Sequence, residues 1–145
     1  MTTHPDLAEA LDPAVATDPL ADADLLYGEV EEDLRGTVRD LLRDRLDPAA
    51  QIRALDSDEP HDRRLWRELA GGVGLAGLLV PEDRGGAGAS AREAAVVLEE
   101  LGRAVAAVPF LTSAVVATTA LLAAGRSASD DALGRLAAGE STAVL

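Results

Sequence analysis

This chain has to build its core almost without rings. Of 145 residues 48% are apolar, yet only 2% are aromatic: Tyr27, Trp66 and Phe110, one of each kind. Ala, Leu and Val must fill the interior, and Ala and Leu are strong helix formers whose short side chains let helices approach closely. The constraint points to an all-α fold. At this length a single domain with one core is the simplest organisation.

Periodicity locates the helices. Leu26, Val30, Leu34, Val38, Leu41, Leu42 and Leu46 recur at spacings of three and four, which predicts a helix near 25–46. Asp47-Pro48 reads as its end, because the residue before proline avoids the helical region, and a polar stretch through Pro60 follows. Leu65, Trp66 and Leu69 share one face of a short helix near 62–70, stopped by Gly71-Gly72; Trp66 reads as core, with its indole N–H finding one partner. Ser90-Ala91-Arg92-Glu93 matches a capping box and opens a helix near 91–106.

Pro109 and Gly125 bracket a segment that is apolar nearly all round, predicting a helix over 110–124 that is the most buried of all. On that reading Val116→Asp or Leu121→Asp buries a charge. A last helix near 130–138 ends at Gly139, and Ser141 to Leu145 is β-prone. The sum is an orthogonal or up-down bundle of about five to six helices.

Charge narrows the partners. The 13 basic residues are all Arg against 26 Asp and Glu, a net charge of −13, so nucleic acid is excluded as a partner. Residues 1–23 combine carboxylates with Pro5, Pro13 and Pro19 and read as an acidic disordered tail, leaving 24–145 as the helical domain. No Cys and only two His leave no disulfide, no thiolate nucleophile and no His-rich metal site. With no export signal and no apolar run long enough to span a bilayer, a cytoplasmic protein is expected.

Several motifs have competing meanings. Gly72-Val73-Gly74-Leu75-Ala76-Gly77 spells the dinucleotide fingerprint, but a helix precedes it where a strand is required. Gly85-Gly86-Ala87-Gly88 has the composition of a phosphate cradle, yet reads better as a turn before a capped helix. Glu99 and Glu100, being adjacent, face different sides of a helix and do not share a proton; Glu99 with Arg103 reads as a surface pair. His61 receives no role, and Asp56, Asp58, Glu59 and Asp62 lack the spacing of a calcium loop.

Taken in order, Gly74-x-x-Gly77, Val80-Pro81-Glu82, Gly85-Gly86-x-Gly88, Glu99-Glu100-Leu101-Gly102 and Leu136-Ala137-Ala138-Gly139-Glu140 resemble the N-terminal helical domain of acyl-CoA dehydrogenases. The resemblance covers about residues 26–145, and Pro109-Phe110-Leu111 resembles the actinobacterial branch acting on steroid or branched acyl-CoA.

The resemblance implies a flavoprotein oxidoreductase in which FAD accepts the β-hydrogen of an acyl-CoA thioester as hydride while a carboxylate base takes the α-proton. It implies that the chain stops where a middle β-domain begins, so no catalytic residue is carried over and FAD is not expected to be held by this chain alone. One wall of the acyl pocket maps to Ala106, Ala107, Phe110, Ser113 and Ala114. A homo- or hetero-oligomer is implied as well. The alternatives are a non-catalytic helical partner subunit or an interaction module.

Overall fold

A computed structural model describes residues 26–58 and 61–144, and within them the chain is all-α. Six helices follow in order: α1 (Glu29–Arg45), α2 (Pro48–Leu55), α3 (Arg63–Arg67), α4 (Ala91–Arg103), α5 (Thr118–Ala123) and α6 (Arg126–Ala137). Two π-helical stretches join them: Glu68–Gly72 continues α3, and Phe110–Ala117 leads into α5. No strand occurs among the described residues, and 141–144 have no regular structure. The proposed acidic tail lies outside the described residues.

Local chemistry explains most boundaries. The capping box forms as expected: Ser90 Oγ accepts from the Arg92 amide at 3.1 Å and Glu93 Oε2 accepts from the Ser90 amide at 2.8 Å. That network holds the Glu93 carboxyl below the usual carboxylate range, the Ser90 hydroxyl being the main cause. Asp62, at the end of the acidic run, caps α3 by accepting from the amides of Arg64 and Leu65 at 3.0 and 2.9 Å.

Asp47-Pro48 does end α1, but it also begins α2, which the sequence reading takes for a polar loop. Asp47 Oδ1 accepts from the Ala49 amide at 3.0 Å, and proline occupies the first turn, where it lacks only an amide that has no partner there anyway.

The core is a sandwich of short side chains. Val38 and Leu42 of α1 meet Val97 and Leu101 of α4 over Leu65, Leu69, Leu75 and Phe110, all buried. Each such side chain contributes roughly 1.5–3 kcal/mol by leaving water.

The segment 110–124 is not the buried centre that its composition suggests. Phe110, Ser113, Ala114, Ala117 and Thr118 are buried, whereas Leu111 and Val116 are 51% and 42% exposed. The reason is packing: this segment meets the bundle along one side, so its apolar surroundings end halfway round. Outside this segment exposure falls to zero at Val38, Leu69, Leu75, Val80, Val96 and Val97, and within it only at Thr118.

Candidate functional site

Neither glycine-rich loop is free to hold a phosphate. Gly74 sits in the left-handed region and starts a single tight turn, with Gly77 donating to the Gly74 carbonyl, and no strand precedes it. The second loop folds back on the segment before it: the amides of Gly86, Ala87, Gly88 and Ala89 donate to the carbonyls of Pro81, Gly77, Val80 and Leu78. A Cβ on Gly86 would stand 2.1 Å from the Val80 carbonyl oxygen, so glycine is required for this close approach. These amides already have acceptors. That second loop therefore does not form a cradle that fits the pyrophosphate of FAD, and among the described residues no cluster of metal-ligating side chains occurs.

The α1–α4 contact is held by charge as well as by leucine and valine. Glu100 is only 1% exposed, and Arg39 grips it with a fork, Nε to Oε2 at 2.9 Å and Nη2 to Oε1 at 2.7 Å. Arg35 Nη1 donates to Glu100 Oε1 at 3.1 Å and to Glu99 Oε2 at 2.7 Å, while Tyr27 Oη donates to Glu99 Oε1 at 2.9 Å. The Arg35 guanidinium also lies 4.9 Å from the Tyr27 ring centroid.

Hydrogen bonds from Arg39, and then Arg35, outweigh the effect of burial and hold the Glu100 carboxyl at about 2. Arg35, followed by Tyr27, likewise depresses Glu99. Both carboxylates are thus ionised, in keeping with adjacent residues that do not share a proton.

The expected Glu99–Arg103 pair is not formed. Arg103 reaches Glu100 instead, at 3.6 Å, because Glu99 turns toward α1. A signal for this lay in the sequence: Glu100 falls three residues after Val97, on the buried stripe, and Arg35 and Arg39 flank Val38 on the stripe facing it.

A different surface lies beside the same C-terminal end of α4, on another face. An open groove of about 580 Å³ runs between α2 and the connection from α4 to the π stretch, lined by Ile52, Leu101, Ala106, Ala107, Val108 and Phe110 among others. Among the described residues that line it none is charged. Of the five residues mapped to an acyl pocket, Ala106, Ala107 and Phe110 line this groove together. Ser113 and Ala114 do not: both are buried farther along the π stretch, and Ser113 Oγ accepts from the Ala143 amide at 3.1 Å.

The groove's rim is strained. The amide of Ala106 donates to the Leu101 carbonyl and that of Val105 to Gly102, the paired bonds of a Schellman stop, in which the residue after the cap adopts a left-handed conformation. Here that residue is Val105, at φ 52° and 73% exposed, where glycine is ordinarily favoured. Neither Val105 nor Ile52 is singled out by sequence, since both depend on a helix end and a helix start that only the fold brings side by side.

Comparison with known proteins agrees with this architecture. Residues 28–140 match the acyl-CoA dehydrogenase N-terminal domain. The acyl-CoA dehydrogenase IpdE2 of Mycobacterium tuberculosis is 42% identical over 117 residues, 81% of this chain and 36% of that protein. IpdE2 of Mycolicibacterium smegmatis is 44% identical over 99 residues, 68% of this chain and 32% of that protein.

Among solved structures, the ChsE4-ChsE5 complex from Mycobacterium tuberculosis superposes with a TM-score of 0.74 at 31% identity, covering 84% of this chain and 34% of that one. A variant of the Tcur3481-Tcur3483 steroid ACAD gives 0.73 at 35% identity, covering 81% and 32%. The chain spans about a third of the length of these relatives. Six helices in this arrangement, the ordered glycine and glutamate motifs and these matches make the chain a member of the acyl-CoA dehydrogenase family, corresponding to its N-terminal helical domain.

Proposed function

We propose that this domain forms one wall of the acyl pocket of an FAD-dependent enzyme that dehydrogenates an acyl-CoA thioester between its α and β carbons. The observation that carries this reading is the uncharged groove on which Ala106, Ala107 and Phe110 converge. Its volume suits a small molecule, and an apolar lining suits the hydrocarbon part of a thioester. Ser113 and Ala114, buried farther along the π stretch, are read as backing for that wall. The strained, exposed Val105 at the rim supports a role in binding, since such strain collects where ligands are held.

FAD supplies hydride acceptance in this chemistry, and no residue of this chain is assigned to holding it or to taking the α-proton. The small side chains at Ala106 and Ala107 leave room for a bulky acyl group, and likeness to a steroid ACAD supports one of steroid type. The two-part names of both solved relatives support an assembly with a second acyl-CoA dehydrogenase chain. Among the described residues no helix is long and apolar enough to cross a membrane.

The test is Ala106→Trp in the FAD-loaded enzyme that carries this domain. The indole would fill the groove, so KM for a steroid-type acyl-CoA should rise about tenfold or more, with a far smaller change for a short-chain acyl-CoA. Unchanged KM values for both thioesters in a folded variant would remove the groove from the acyl pocket.

A further inference from the structure

A second groove, of about 610 Å³, lies on the other side of the Val108–Phe110 connection, between α3 and residues 139–144. Its character is unlike that of the first. Trp66, Arg63, Arg67, Thr112, Ser141 and Thr142 contribute to its walls, which brings residues that carry indole, guanidinium and hydroxyl donors to one groove. His61 and Glu140 line it as well.

Two observations made independently of each other converge there. Trp66 is only 5% exposed, yet its Nε1 is the one buried side-chain polar atom among the described residues that has no hydrogen-bond partner. The sequence reading expects that N–H to find an acceptor, and it does not. A buried donor left in this state keeps the cost of leaving water uncompensated.

The second observation is Arg67. Acidic residues outnumber basic ones two to one in this chain, and Arg35, Arg39, Arg43, Arg45, Arg53, Arg64, Arg84, Arg92, Arg103 and Arg135 all have a carboxylate within ion-pair reach. Arg67 has none among the described residues; only its Nε is engaged, donating at 3.3 Å to the Arg63 carbonyl of its own helix. Among the described residues, an arginine without a carboxylate and an indole N–H without an acceptor line the same groove, and both lack an anionic oxygen.

We propose that this groove is a binding site for an oxyanion-bearing small molecule, a carboxylate or a phosphate, held by the Trp66 indole N–H and the Arg67 guanidinium. Arg63 adds positive charge and the hydroxyls of Thr112, Ser141 and Thr142 supply further donors, while Glu140 on the rim limits the net positive charge and disfavours a large polyanion. The site stands apart from the acyl groove and does not depend on that assignment.

Trp66 is the only tryptophan, so the chain has a single indole Nε1–H resonance, and the test reads it directly. Nitrogen-15-labelled protein is titrated with sodium acetate and with sodium phosphate at constant ionic strength, using sodium chloride as reference. A saturable shift with either oxyanion and none with chloride is expected. Acetate binding more tightly assigns a carboxylate ligand, and phosphate binding more tightly a phosphate.

Arg67→Gln should weaken that binding about tenfold, the loss of one charge-assisted contact, whereas Arg43→Gln on the remote end of α1 should leave it unchanged. Arg67→Lys, which keeps the charge and loses the fork, should fall between them. An indole resonance that ignores both oxyanions, that moves equally with chloride, or that responds identically in Arg67→Gln would overturn the proposal; in the first case the donors await a carboxylate of a partner protein.

Discussion

The last turn of α4 and the stop just beyond it solve opposite problems. In the last turn, Glu100 is buried against α1 and both of its carboxylate oxygens are taken by arginine, so nothing is left for a ligand. Just beyond that turn the chain stops on a valine in a conformation that suits glycine, and leaves an apolar groove open to solvent. A region whose polar groups all have partners is a region that holds the fold together. One whose surface lacks partners, and stores strain besides, is a region kept for something else.

If the first region is structural, breaking it should have the largest effect. Glu100→Gln leaves Arg35 and Arg39 facing an uncharged amide in a buried place, and should lower unfolding stability near neutral pH by about 2–4 kcal/mol, read as the midpoint of a urea transition. The same contact fixes a pH dependence. The folded state holds the Glu100 carboxyl at about 2, below its ordinary 4.5, so its contribution is fully present above about pH 4.5 and drains away as pH falls toward 2. Acid should therefore destabilise the wild type more steeply than Glu100→Gln across that window. Parallel curves would show that the pair contributes little.

The second region should behave in the reverse way. Val105→Gly relieves a left-handed β-branched residue and should raise stability by about 1 kcal/mol, although it removes a side chain. If the rim serves binding, the same change should weaken interaction with an acyl-CoA in the enzyme that carries this domain. A stability gain with binding untouched would leave Val105 as plain strain.

The smallest effect separates the two faces of the π stretch. Val116→Asp should shift stability by no more than about 0.5 kcal/mol, because that side chain is half in solvent, while Ala114→Asp on the buried side should cost several kcal/mol. Similar melting temperatures for the two variants would contradict the packing described.

Much of this was legible in the residues. Ser90 and Glu93 announced a helix start through local bonds that need no partner element, and the scarcity of rings with an abundance of Ala, Leu and Val required helices in close contact. The ordered glycines and the Glu-Glu-Leu-Gly turn carried the family. Such features are decided within a turn or two of chain, where sequence and geometry are the same information.

What the sequence alone left open depends on contacts between distant segments. Composition made 110–124 look buried all round, but whether a helix is covered on one side or every side is set by what packs against it. Glu99 pairs with Arg35, 64 residues away, and not with Arg103 one turn along its own helix, because the packing of α1 against α4 brings that guanidinium within reach. Among the described residues, the N–H of Trp66 without an acceptor and the guanidinium of Arg67 without a carboxylate became meaningful only once the other groups had been paired, since a missing partner is a property of the fold and of no single residue.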